Sequence, residues 1–157
     1  MTMSDPIDPD RLLRAIARKE SASGRNNCPR FEKAYAPQGE TFTVQGREIT
    51  GTGRYYAALA DAWARWGMAC AFSFSSWQIM YATAKKNGYL GPPWELWDDE
   101  VARPFVLKEL GRLIKRYGDN IEEVASAWNA GTARFQDGRL RAPEYAAAVV
   151  GFYEATA

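Results

Sequence analysis

Proton chemistry in this chain must be done without imidazole. The 157 residues include no histidine, which removes the Ser-His-Asp triad, the Cys-His dyad and the His-Glu-x-x-His zinc site together. Two cysteines, Cys28 and Cys70, are too few for a zinc cluster. A general acid or base near neutral pH must then be a carboxyl, a lysine, a tyrosine or a thiol with a displaced pKa. Among these Glu20 has informative spacing. It follows Ile16 by four residues and Leu13 by seven, so on a helix it shares the face of the apolar stripe. Burial there raises its pKa, and the negative end of the helix dipole acts in the same direction. A glutamate so placed holds its proton at neutral pH and can deliver it as a general acid. The same spacing also suits a glutamate at the rim of a stripe that reaches water.

Helices dominate the elements that must position this group. Asp8, Pro9 and Asp10 open a first helix over about Pro9 to Ser21, whose apolar stripe is Leu12, Leu13, Ile16 and Ala17. Residues 21–37 read as loop. Thr41 to Thr50 alternates as strands do, with Gln45-Gly46 at the turn of a hairpin. A second helix is expected over Tyr55 to Trp66 and a third over about Ser76 to Asn87, closed by Gly88. Asp98 or Asp99 caps a long helix ending near Tyr117, with Pro104 near its first turn. Asp119 or Asn120 caps the next, which Gly131 ends, and Pro143 starts the last. The expected fold class is α+β and predominantly α-helical: one domain over residues 1–157, with about six helices and a small hairpin insertion near residues 38–53.

Charge excludes more than it suggests. Twenty basic residues against nineteen acidic ones give a net +1, so no basic field points to nucleic acid. No apolar run is long enough to span a membrane. The opening MTMSDPIDPD is acidic and polar rather than a secretory signal, which predicts a chain made in the cytoplasm that needs another route outward. Cys28 and Cys70 suit either a disulfide or two small buried thiols.

Four strings in order carry a resemblance. The first is Ile16 to Gly24 (IARKESASG), where Glu20 is followed by Ser21. The second is Phe74 to Ala84 (FSSWQIMYATA), the third Ala127 to Gly131 (AWNAG), and the fourth Pro143-Glu144-Tyr145. Together they resemble the lysozyme-like lytic transglycosylases of the goose-type lysozyme superfamily, and the resemblance covers most of the chain. Two features depart from that pattern. The stretch between Glu20 and Trp77 is long and contains Arg30-Phe31-Glu32, which looks more like phage and bacterial N-acetylmuramidases. The family tyrosine of the third string is Trp128 here, which supplies an N–H and a stacking face but no hydroxyl.

The resemblance implies a lysozyme-like fold and a chemistry. The substrate would be peptidoglycan, cut at the β-1,4 bond between N-acetylmuramic acid and N-acetylglucosamine, with Glu20 protonating the bridging oxygen. In a transglycosylase, the favoured reading, Glu20 then acts as base while the C6 hydroxyl of the muramic acid attacks. In a hydrolase a water attacks, assisted by a second carboxylate. Glu32 is the candidate, with Asp98 and Asp99 behind it, and the structural alternative for Glu32 is an ion pair with Arg30 or Lys33. Gln78 and Asn129 would bind acetamido groups. Ser75 and Ser76, at the start of the third helix, would face the cleft, and Tyr145 would face Glu20. Trp77, Trp128 and Tyr81 would stack on sugars or belong to the core. Such chemistry needs no metal and no cofactor. The expected partner is the glycan strand, with a phage holin, a tail structure or a secretion apparatus as carrier and the chain itself a monomer. Chitin as substrate and a non-catalytic glycan-binding or virion module remain the competing readings.

Overall fold

The computed structural model describes residues 6–156, so part of the acidic N-terminal stretch read above lies outside the described residues. Asp8 caps α1 (Pro9–Ser21), its carboxylate accepting from the N–H groups of Asp10 and Arg11, as the sequence predicts. The apolar stripe is buried, with Leu12 and Ile16 fully enclosed. α4 (Asp99–Tyr117) is capped by Asp98, and α5 (Ile121–Ala130) by Asn120. Pro104 is the sixth residue of α4 rather than part of its first turn. Pro104 and Glu100, whose carbonyl it leaves without a helical partner, are both exposed residues. α6 (Pro143–Ala155) packs against both α1 and α5. Val106, Leu110, Leu113, Val124 and Val149 fill the space these four helices share. The chain is thus a predominantly helical α+β fold, with six α-helices among the described residues. None of them is long and apolar enough to cross a membrane.

The β-structure exceeds the expected hairpin. That hairpin is present as β2 (Thr41–Val44) and β3 (Arg47–Thr50), paired antiparallel. Gln45 and Gly46 both have positive φ, at 49° and 75°, as a tight two-residue hairpin turn requires. It leans on aromatic neighbours: the Phe42 ring lies 5.5 Å from Phe31 and 5.7 Å from Trp63. A second sheet was not foreseen. β1 (Arg30–Phe31) pairs with β4 (Phe72–Phe74), which pairs with β5 (Ile79–Met80).

This second sheet corrects the third helix. The helix begins only at Tyr81, as α3 (Tyr81–Lys86). Residues 75–78 instead form the turn between β4 and β5, with Ser75 at φ 71° and Gln78 at φ 50°. The Ser73 hydroxyl donates to the Gln78 Oε1 at 2.8 Å and closes that turn from side to side. The second helix is also shorter than expected. α2 spans Ala60–Trp66, and Tyr56–Leu59 form a 3-10 turn. No side chain caps either start, and the fully buried Leu59 and the Tyr56–Trp63 edge contact hold the segment by packing.

The hairpin is tied back by a close backbone approach at Gly51. A Cβ there would stand 2.1 Å from the Pro37 carbonyl oxygen and 3.0 Å from Ala36. Gly51→Ala is therefore expected to destabilise the fold by about 1–3 kcal/mol, read as a lower urea midpoint.

Candidate active site

Glu20 lies in the last turn of α1, and its side chain is 12% exposed. The helix stops immediately beyond it because Ala22 takes a left-handed conformation, φ 50°. Ser21 explains how the following loop is held. Its hydroxyl lies 2.7 Å from the Ser76 carbonyl and 3.1 Å from the Ala17 carbonyl, and it accepts the Gly24 N–H at 2.8 Å. Gly24, at φ 87°, lets the loop close over that turn, since a Cβ would meet the Ser76 hydroxyl at 2.8 Å. The serine after the glutamate and the glycine three residues on thus join the end of α1 to the β4–β5 turn. Trp77 adds a second link, its indole N–H donating to the Leu13 carbonyl at 3.1 Å.

Both Glu20 carboxylate oxygens accept hydrogen bonds. The Tyr145 hydroxyl, from the first turn of α6, donates to Oε1 at 2.8 Å. Arg30 reaches Oε2 with Nη1 at 3.3 Å, and its Nη2 donates to the Glu20 main-chain carbonyl. Burial raises the Glu20 pKa. The Tyr145 hydrogen bond and the charges of Arg30 and Lys19 oppose that rise without cancelling it. Burial and the neighbouring Glu20 charge push the Tyr145 pKa far up, so its hydroxyl keeps its proton and remains a donor.

Glu20 opens onto a cleft of about 880 Å³. Glu32, Gln78, Trp128 and Asn129 line the same cleft. Glu32 is exposed at its surface, yet partial desolvation of its carboxyl raises its pKa against the lowering effect of Arg30. Arg30 pairs with Glu20, and among the described residues neither Arg30 nor Lys33 forms the ion pair with Glu32 that the sequence offered as its alternative role. Trp128 is half-buried, packing against the core while lining the cleft, and Asn129 is exposed. Gln78 lines the cleft but spends its amide internally: Nε2 donates to the Ser75 and Cys28 carbonyls, and Oε1 accepts from Ser73.

Ser75 and Ser76 do not line the cleft. Ser75 is fully buried, and its hydroxyl accepts the Trp77 N–H. The Ser76 N–H and hydroxyl donate to the two Asp99 carboxylate oxygens. With residues 75–78 in a tight turn instead of a helix start, their polar atoms are consumed in holding it. Asp98 caps α4 and Asp99 binds Ser76, and neither lines the cleft. Trp77 and Tyr81 are buried in the core. Cys28 and Cys70 are both free thiols, Cys28 exposed and Cys70 buried, where desolvation pushes its pKa to about 11.

Other cleft residues escaped sequence reading. Tyr35, Arg54 and Tyr55 line it, and the Tyr35 and Tyr55 rings lie 5.0 Å apart. Phe135 is exposed, with the Arg141 guanidinium 4.9 Å from its ring centroid. Tyr35 ends a single 3-10 turn (Lys33–Tyr35), Arg54 and Tyr55 lie in a turn and Phe135 in a loop, none of which marks a residue for the cleft in the sequence. Glu109, on α4, also lines the cleft. Its burial opposes ionisation, but hydrogen bonds from Arg112 and Asn87 together with the charges of Lys86 and Arg112 outweigh this and hold its pKa below the usual carboxylate range. Its shift is thus opposite in direction to that of Glu20. Among the described residues no group of His, Cys, Asp or Glu side chains is set to hold a metal ion.

Comparison with models of known protein families, with curated proteins and with solved structures finds no significant match. The likeness to the lysozyme-like enzymes therefore rests on the four sequence strings alone.

The raised Glu20 pKa has a consequence for stability. A carboxyl that binds its proton more tightly folded than unfolded stabilises the fold at pH below its unfolded value. That contribution is lost as pH rises through the folded value. Glu20→Gln, which stays neutral at every pH, is expected to gain stability relative to the native chain as pH rises from the ordinary glutamate pKa of about 4.3 through the raised folded value. Urea midpoints of both proteins across that range measure it.

Proposed function

We propose that the protein cleaves the β-1,4 glycosidic bond between N-acetylmuramic acid and N-acetylglucosamine in peptidoglycan, with Glu20 as general acid. The observation that carries this reading is a buried carboxyl of raised pKa at the wall of a large cleft, with a permanent hydroxyl donor on one oxygen. An acid of that kind can protonate the glycosidic oxygen at neutral pH. Trp128 and Asn129 offer a stacking face and an amide for an N-acetylated sugar. The order of the four sequence strings supports the choice of glycan.

On this reading the substrate lies along the cleft, and Glu20 gives its proton to the leaving oxygen as the bond breaks. The oxocarbenium-like sugar is steadied by its own acetamido group. As a base, Glu20 then draws the proton from the C6 hydroxyl of the muramic acid, which closes the 1,6-anhydro ring without water. Tyr145, bonded to Oε1, orients the carboxyl for both steps. This transglycosylase course is the one the sequence strings favour. One observation favours hydrolysis instead: Glu32 shares the cleft and has a raised pKa, which suits a carboxylate that assists an attacking water. The chain would act on the cell wall, carried there by a phage holin, a tail structure or a secretion apparatus.

Glu20→Gln is expected to lower turbidity loss of purified peptidoglycan at least about a hundredfold, with the circular dichroism of the native fold retained. Full activity in that variant removes Glu20 as the acid. Binding of insoluble peptidoglycan by the native chain without release of soluble fragments supports a non-catalytic module instead. Mass spectrometry of products separates the two reactions, because anhydro-muropeptides are lighter by one water than hydrolytic products.

A further inference from the structure

One buried hydroxyl holds both flanks of the segment that joins α5 to α6. Ser126, fully buried on α5, donates to the Ala133 carbonyl at 2.8 Å and accepts the Ala142 N–H at 3.1 Å. The Ala133 carbonyl also accepts the Arg141 N–H at 2.9 Å, and an antiparallel bridge pairs Arg134 with Leu140. Thr132 and Arg141 are thereby brought together at the foot of a small hairpin. Both line the cleft, and so does Phe135 on the hairpin itself.

Two neighbours orient the Arg141 guanidinium. Its Nη1 donates to the Thr132 hydroxyl at 2.9 Å, and its Cζ lies 4.9 Å from the centre of the exposed Phe135 ring. A guanidinium carries five N–H donors in a planar fork. Among the described residues the Thr132 hydroxyl is the one acceptor that this fork meets. Elsewhere Arg103, Arg112, Arg134 and Arg139 each pair with a carboxylate. Of the arginines in the cleft, Arg30 pairs with Glu20, whereas Arg54 and Arg141 have no carboxylate partner among the described residues. Arg54 is exposed and no hydrogen bond fixes its side chain, while Arg141 is half-buried and held in place. An oriented fork without a counterion matches an anion with two oxygens in one plane, which is a carboxylate.

The chemistry of the sugar brings such an anion to this wall. Asn129, three residues before Thr132, offers its amide to an acetamido group on C2 of the ring. The neighbouring C3 carries a lactyl ether in muramic acid and a plain hydroxyl in N-acetylglucosamine. We propose that Arg141 binds a carboxylate carried on that ether, and so makes the cleft select glycan that contains muramic acid over the uncharged chitin chain. The proposal rests on the reading of the cleft as a peptidoglycan site. In peptide-free strands the carboxylate is that of the lactyl group itself. Where a stem peptide is attached the lactyl carboxyl is an amide, and the peptide supplies the carboxylates. Arg141 acts in recognition and takes no part in proton transfer, and no covalent bond changes.

Two pairs of soluble substrates test this: peptide-free strands and strands with uncrosslinked stem peptides, each with its carboxyls free or converted to methylamides. The native chain is expected to show a kcat/KM about ten- to a hundredfold higher on free than on amidated strands. Arg141→Gln is expected to bring that ratio close to one. A ratio of the native size on peptide-free strands assigns the contact to the lactyl carboxylate, and one confined to the peptide-bearing pair assigns it to the stem peptide. Native ratios near one on both pairs overturn the proposal. So does Arg141→Gln with an undiminished ratio, even where its activity falls, because a merely structural role lowers free and amidated strands alike. If Arg141→Gln fails to fold, Thr132→Val removes the hydroxyl that aims the guanidinium and is expected to lower the same ratio. If the native chain cleaves none of the strands, the catalytic reading falls. The ratios of affinities from tryptophan-fluorescence titrations with the same strands then report the Arg141 contact, and equal affinities for free and amidated strands overturn it.

Discussion

A carboxyl removed from water at the end of a helix is the constraint around which this structure is arranged. Taking Glu20 out of solvent disfavours its ionised form, and the end of α1 adds the negative pole of a helix dipole. Two donors and a nearby lysine then offset part of that penalty. Glu109 shows the opposite outcome in the same cleft. It is also buried, but hydrogen bonds from Arg112 and Asn87 and the charges of Arg112 and Lys86 lower its pKa. Two glutamates on neighbouring elements thus diverge through the number and charge of their partners.

The supports for Glu20 come from distant parts of the chain. Ser21 ties its helix end to the β4–β5 turn, and Asp99, at the start of α4, holds that turn from the other side. Tyr145 comes from α6, which packs along α1. Arg30 comes from a two-residue strand that exists only because β4 pairs with it. The polar side chains of this layer are nearly all committed to one another. The cleft is left with exposed or aromatic groups at its surface, where a ligand can be met without unsatisfied polar atoms beneath it.

Much of the helical frame was legible in the sequence because its signals are local. Asp8, Asp98 and Asn120 cap where expected, and the stripe of α1 pointed to Glu20. Gln45-Gly46 marked its hairpin for the same reason: one dipeptide carries the whole turn. The β4–β5 turn was not legible. Serines 75 and 76 suit a helix start as well as a turn, and the two left-handed residues, Ser75 and Gln78, are not glycines. What decides between them is the pairing of β4 with β1, forty residues away in sequence, and no local pattern encodes it. The same cause moved Ser75 and Ser76 from candidate ligands to structural partners. Arg30 was visible as a charge, but its choice of Glu20 over Glu32 depends on how β1 lies against the end of α1.

The bond between Tyr145 and Glu20 spans 125 residues, and the N-terminus of α1 is fastened to the far end of α6 as well. The Asp8 N–H donates to the Tyr153 hydroxyl, and the Arg11 guanidinium to the Tyr153 carbonyl. α6 therefore works as a clasp with two fastenings: a change that loosens it loses the donor on Glu20 and the tether at the start of α1 together.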